Sequence, residues 1–288
     1  MIPSGFLLID KPSGITSNDV VKKVQSLDKS FLSVGHTGTL DPMATGLLVV
    51  AINEATKFIP FIDNSKKSYQ TTMKFGLKSK TLDTDSYCEF KHFNPPSFAT
   101  FSEAVSALIG TPILSIPCYS ACKFQGKPLY HYARKDIEIH LPQRPSDIHQ
   151  INITSLNSTE AQLSIVCGHG TYIRAIIDNI AEALNINAVM SQLHRSSIGS
   201  LTPNISFENL DKNYINSIQS IDKILQLPIL NQITPQQKVQ LYHGRSIFYP
   251  SDDNGQYMIF CDQNLIGLGE LSNHSLKFIK QYRPNNPN

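Results

Sequence analysis

Gly35-His36-Thr37-Gly38-Thr39-Leu40-Asp41-Pro42 puts two glycines and a proline into eight residues, just ahead of the apolar run Thr45 to Ile52. Glycine and proline punctuate a chain, so the stretch reads as a tight loop. The β-branched-rich run behind it reads as a buried strand. A residue before proline is driven to an extended conformation, which projects the Asp41 carboxylate off the loop. An isolated Asp-Pro is ordinarily a solvated turn, and it is the surrounding pattern that gives this one weight.

Upstream, Gly5 to Ile9 reads as a short buried strand and Asp10-Lys11-Pro12-Ser13-Gly14 as a turn. Ser17 is expected to cap a helix, with Asn18 and Asp19 in its first turn. Val20, Val24 and Leu27 give that helix one apolar stripe. Downstream, Tyr69, Thr71, Met73 and Phe75 alternate with Gln70, Thr72, Lys74 and Gly76, a half-buried strand with Tyr69 at its start. Thr100-Phe101-Ser102-Glu103 matches a capping box and predicts a helix through Ile109, ended by Gly110 and Pro112. Leu163, Ile165 and Cys167 alternate up to the turn Gly168-His169-Gly170. Ile173, Ile176, Ile177, Ile180 and Leu184 then space an amphipathic helix. The result is an α+β body with mixed strands and flanking helices.

The composition changes near Thr202-Pro203-Asn204, and Leu227-Pro228 opens a block of short strands with a hairpin expected at Asp262-Gln263-Asn264. Two domains are expected, 1–225 and a small β-rich 226–288. The Pro- and Asn-rich tail, Arg283 to Asn288, is expected to fray.

At 288 residues and 41% hydrophobic the chain can bury a sizeable core. A net charge of +2 means that any nucleic-acid surface must gather its basic residues on one face. Five cysteines without paired spacing argue for reduced thiols over disulfides or zinc. No apolar run reaches the roughly 18 residues of a membrane span, and Met1 to Lys11 lacks the basic start of a signal peptide. A cytoplasmic protein without membrane contact is expected. His36 has no second ligand at metal spacing, and no Walker or GxGxxG pattern is present.

The loop and its continuation, Gly-His-Thr-Gly-Thr-Leu-Asp-Pro-Met-Ala-Thr-Gly-Leu-Leu followed by Glu54-Ala55-Thr56-Lys57, resemble the signature of TruB-type pseudouridine synthases. Leu8-Ile9-Asp10-Lys11-Pro12-Ser13-Gly14-Ile15-Thr16-Ser17 is similar to that family's opening motif. Lys67-Ser68-Tyr69, Asp83-Thr84-Asp85, Tyr119-Ser120-Ala121 and Gly168-His169-Gly170-Thr171-Tyr172-Ile173-Arg174 resemble later family segments, as does Leu193-His194-Arg195-Ser196. The block from Leu241 to Glu270 resembles a PUA-type RNA-binding module.

The resemblance implies a pseudouridine synthase fold with a mixed sheet, plus a PUA-like domain. It also implies isomerisation of a uridine in the T loop of tRNA, without a cofactor or metal. It makes Asp41 the catalytic carboxylate, Arg174 its partner and Tyr69 the aromatic surface under the base. His36 becomes an RNA contact, Leu193 a pocket wall, and Tyr172 a packing or hydrogen-bonding neighbour. Asp83 falls in a polar loop beside the substrate. Lys11 is left with two roles, meeting the RNA backbone or supporting the Asp41 loop. Lys66, Lys67, Lys123, Lys127, Arg134, Lys135 and Arg144 are candidate backbone contacts. The sequence leaves open whether the carboxylate attacks C6 or C1′ or promotes a glycal route.

Two other readings stay in view. A guide-RNA-dependent synthase shares the Asp loop but acts with protein partners. A tRNA-folding chaperone would present the same surface and make no covalent change. The expectation is a stand-alone monomer acting on the T-arm of tRNA with no obligate protein partner.

Overall fold

The computed structural model describes residues 4–63 and 65–283. The part of the tail beyond Arg283, expected to fray, lies outside them.

Alternation in the sequence becomes the central sheet. Its strands run Ile148–Leu156, Glu160–Cys167, Lys67–Phe75, Ala188–Ile198, Thr45–Ile52, Gly5–Lys11 and Ile205–Ser206 in spatial order, and Val34–Thr37 pairs alongside Thr45–Ile52. Most pairs are antiparallel. Thr45–Ile52 against Ala188–Ile198, and Gly5–Lys11 against Ile205–Ser206, are parallel. The mixed sheet of the expected α+β class is therefore present.

Thr45–Ile52 is buried along nearly its whole length because it is covered on both faces. Leu48, Val50 and Ile52 join a core with Tyr69, Met73, Ile165 and the apolar stripe Ile173, Ile176, Ile177 and Ile180 of the helix Ile173–Ala183. Leu47, Val49 and Ala51 point the other way, into a second core containing Phe6, Phe58, Ile221, Met258 and Leu268. This is the period of two of a strand serving two layers.

Two helix starts differ from expectation. Thr16, not Ser17, caps Ser17–Leu27, in a reciprocal capping box with Asp19. Ser17 sits one residue inside, where its hydroxyl exchanges hydrogen bonds with the Leu40 backbone. The next helix begins at Phe98 and ends at Ser106, with Ser97 accepting from the Thr100 N–H. Pro95 and Pro96 hold the chain extended, and the helix starts as soon as it clears them. Thr100 is thus inside the first turn.

From Ile229 onward a five-stranded sheet forms, built mainly of Gly255–Cys261, Asn264–Ser272 and Ser275–Gln281. Asp262 and Gln263 turn the expected hairpin, with φ of 49° and 63°, the left-handed pair a tight two-residue hairpin requires. A helix, Pro235–Tyr242, was not among the expected short strands. Its start carries a capping box between Thr234 and Gln237, with proline in the first turn.

Candidate active site

The Asp41 loop is held at nearly every residue by a different part of the chain. Arg195 Nη2 donates to the Gly38 carbonyl at 2.9 Å. The Ser17 hydroxyl accepts from the Leu40 N–H at 2.9 Å and donates to the Leu40 carbonyl at 3.1 Å. Pro42 O accepts from the Gly14 N–H at 2.9 Å and from Lys11 Nζ at 3.1 Å. The Met43 N–H donates to the Asp85 carboxylate at 3.2 Å. A loop pinned in this way presents its aspartate in one pose.

Lys11 is fully buried, and its ammonium also donates to the carbonyls of Pro12 at 2.8 Å and Ile15 at 2.7 Å. All three donors are spent on backbone. Of the two roles left open for Lys11, support of the loop fits and contact with the RNA backbone does not. Burial draws its pKa down to about 8, against the pull of Asp41 and Asp85.

Asp41 itself is gripped by a fork. Arg174 Nε lies 3.0 Å from Oδ2, and Nη2 donates to Oδ1 at 3.0 Å. Two further guanidinium N–H groups, on Nη1 and Nη2, reach the carbonyls of Thr81 at 2.9 Å and Tyr119 at 3.0 Å. Arg174 occupies the first turn of Ile173–Ala183, where a cation meets an unfavourable helix dipole. The two-toothed pairing compensates for that. The arginine side chain is 5% exposed and the aspartate 28%, so the carboxylate still faces the cleft.

Asp83 stands behind this pair. It is buried, lies 3.8 Å from Arg174 Nη1, and accepts from the Thr81 hydroxyl and the Asp85 N–H. Burial pushes the Asp41 carboxyl above its ordinary value, Arg174 pulls it back, and Asp83 and Asp85 push it up again. The environment thus sets the acidity of Asp41 through one cation and two further carboxylates.

The other expected residues line the same cleft, a cavity of about 870 Å³. Tyr69 is buried near the start of Lys67–Phe75, and burial raises its phenol pKa so that the O–H stays protonated. Leu193 and Arg195 lie opposite Thr71 and Tyr69 on the neighbouring strand, so both share the tyrosine's face. His36 is half-buried, and burial together with Arg195 lowers its pKa, leaving a neutral ring suited to stacking. Tyr172 precedes the helix with the Arg144 guanidinium 5.3 Å from its ring centre. Of the seven candidate backbone cations, only Arg134, Arg144 and Lys67 line the cleft, and Lys67 is buried in its wall.

Sequence reasoning gave Ser17 only a capping role and assigned none to Arg195. For Arg195 a signal existed, because a strand places residues two apart on one face and Leu193 was already a candidate. For Ser17 there was none, since its partner lies 23 residues away. Among the described residues no cluster of metal-binding side chains occurs, and no helix is long and apolar enough to cross a membrane.

Residues 25–173 match the family described as TruB family pseudouridylate synthase, N terminal domain. The tRNA pseudouridine synthase B of Caldicellulosiruptor saccharolyticus is 39% identical over 236 residues, covering 82% of this chain and 80% of that protein. The tRNA pseudouridine synthase B of Azoarcus sp. strain BH72 is 32% identical over 282 residues, 96% of this chain and 94% of its own. A chain from a solved H/ACA RNP bound to a substrate RNA containing 2'-deoxyuridine shares the fold. Its TM-score is 0.71 at 20% identity, covering 98% of this chain and 86% of that one.

Proposed function

Because the chain belongs to the TruB family of pseudouridylate synthases, we propose that it isomerises a uridine in the T loop of tRNA, with Asp41 as the catalytic carboxylate. The observation that carries this reading is the Arg174 fork on Asp41 at the edge of a cleft walled by Tyr69 and Leu193. The reaction breaks the N1–C1′ bond and forms a C5–C1′ bond. C5 loses its proton and N1 ends protonated, so atoms and electrons balance without a redox partner.

Asp41 supplies the negative charge that answers the sugar or base as the glycosidic bond opens. Arg174 keeps that carboxylate ionised and aimed. Tyr69 offers a flat apolar face on which a detached uracil can turn without leaving, and its protonated O–H can donate to the base. Leu193 closes the other side against water. His36, neutral and half-buried, stacks on a splayed neighbouring base. A uridine in a structured loop must leave its stack to reach Asp41, and a cleft of this size falls in the range of ligand pockets.

The rest of the reading concerns organisation. Residues 1–225 form the catalytic unit, and 226–288 a PUA-like unit that holds tRNA away from the cleft. The protein works as a cytoplasmic monomer on the T-arm, with no obligate protein partner. Incubating the purified chain with an unmodified T-arm stem-loop, with no guide RNA or added protein, tests this. Conversion of the T-loop uridine supports it. Tight binding without conversion would favour a guide-dependent synthase or a chaperone.

A further inference from the structure

One wall of the cleft gathers positive charge that no carboxylate pairs with among the described residues, although Arg144 lies over the Tyr172 ring. Lys67, Arg144, His169 and Arg195 all line it. Among the described residues the ion pairs include none of the four. Lys67 is the sharpest case. It is 5% exposed, and among the described residues its ammonium has a single long hydrogen-bond contact, 3.5 Å to His169 Nδ1. A buried ammonium without an acid or a full set of acceptors is costly. Its pKa falls to about 8 through burial and the charge of Arg195. His169 is lowered too, by burial and then by Lys67 and Arg144, so these groups feel one another.

Two glycines let the cations approach. Gly38 has φ +74°, and a Cβ built there would lie 3.3 Å from Lys67 Nζ and 3.5 Å from Arg195 Nη1. Gly170 has φ +81°, and its Cβ would fall 2.7 Å from Arg144 Nη2. Arg195 spends Nε and Nη2 on the carbonyls of Leu47 and Gly38. It supplies field at this wall, and Lys67, Arg144 and His169 supply the free donors.

We infer that Lys67, Arg144 and His169 form a subsite for one backbone phosphate beside the target uridine. The inference rests on the RNA-modifying reading above. Phosphate contacts fix register and orientation while carrying no sequence information. Gly38 lies three residues before Asp41, so an anion held at Lys67 positions the adjoining nucleotide against the catalytic loop. Lys67, Arg144 and His169 are positioning residues in this account.

The test uses T-arm stem-loops carrying a single uncharged methylphosphonate at each linkage flanking the target, with wild type, Lys67→Met and Arg144→Met. Binding and conversion are read separately. At one linkage the neutral group should weaken wild-type binding about 10-fold, the size of a lost charged hydrogen bond. Lys67→Met should cost a similar factor on unmodified RNA and lower the salt slope by about one. The two changes together should be no worse than either alone. Additive losses at every linkage, or an unchanged salt slope in Lys67→Met, would overturn the subsite. Should Lys67→Met not fold, half-buried Arg144→Met carries the same comparison. Coupling without conversion by wild type would sink the isomerase reading and leave the phosphate subsite standing. Conversion without coupling would do the reverse.

Discussion

Asp41 and Arg174 make one chemical unit from residues 133 positions apart. The proposed reaction uses the ionised carboxylate, so activity should be lost as pH falls through the folded-state pKa of Asp41. Burial raises that pKa above the ordinary aspartate value, and the acid limb of the rate profile should sit correspondingly high. Arg174→Gln removes the group that pulls the pKa down, so the limb should move to still higher pH. A kcat–pH profile checks this, and an unmoved limb would show that the arginine does not tune Asp41. Tyr69→Phe keeps the flat face and should retain RNA affinity. Tyr69→Leu should lose about 1–3 kcal/mol of binding, the worth of one base–aromatic stack, read by titration of labelled RNA. The tight loop that projects Asp41 was legible from its Gly- and Pro-rich setting, and the role proposed for the carboxylate came from the family resemblance. The buried charges of Lys11, Lys67 and Arg195 were not legible. Arg195 is held by the carbonyls of Leu47 and Gly38, and Lys11 in part by that of Pro42, all supplied by distant segments, while Lys67 is buried beside His169 from 102 residues away.

At the scale of elements, the Asp41 loop is a product of its neighbours. Ser17, on the first helix, satisfies both the N–H and the carbonyl of Leu40. Ser17→Ala leaves both without that partner in a buried setting. It should cost about 1–3 kcal/mol of stability, read by denaturant titration. It should also lower kcat more than it raises KM, because positioning is lost and binding is not. Equal stability and equal kcat would show that the pin is dispensable. Strands were the more legible elements, since Thr45–Ile52 and Lys67–Phe75 follow directly from apolar runs and alternation. Helix starts were less so. Thr100 to Glu103 matched a capping box, yet Ser97 cleared the prolines first and took the cap. Thr16, in its capping box with Asp19, took the cap one residue before the expected Ser17.

Across the whole molecule, the apolar back of the catalytic sheet and the C-terminal sheet share one core. Phe6, Leu8, Leu47, Val49 and Ala51 cluster with Met258 and Leu268. The change of composition near residue 203 suggested an appendage, but this shared packing was invisible in sequence because either half alone reads as an ordinary strand. Leu268→Ala should cost about 2–5 kcal/mol, lower Tm by roughly 5–15 °C, and leave a single melting transition in calorimetry. Two separated transitions would mean that the C-terminal sheet folds independently of the catalytic body.

The Asp41 carboxylate is the group on which the proposed reaction depends. Wild type and Asp41→Asn should be incubated with the same unmodified T-arm stem-loop, and pseudouridine mapped by chemical adduct and reverse-transcription stop. The substitution keeps the shape of the side chain, removes its charge and replaces one of the two oxygens that accept from Arg174 by an NH2 donor. Conversion by wild type, with none by Asp41→Asn at comparable RNA affinity, is the predicted result. Equal conversion by both would contradict it, because the group held by Arg174 would then not be the one that does the chemistry.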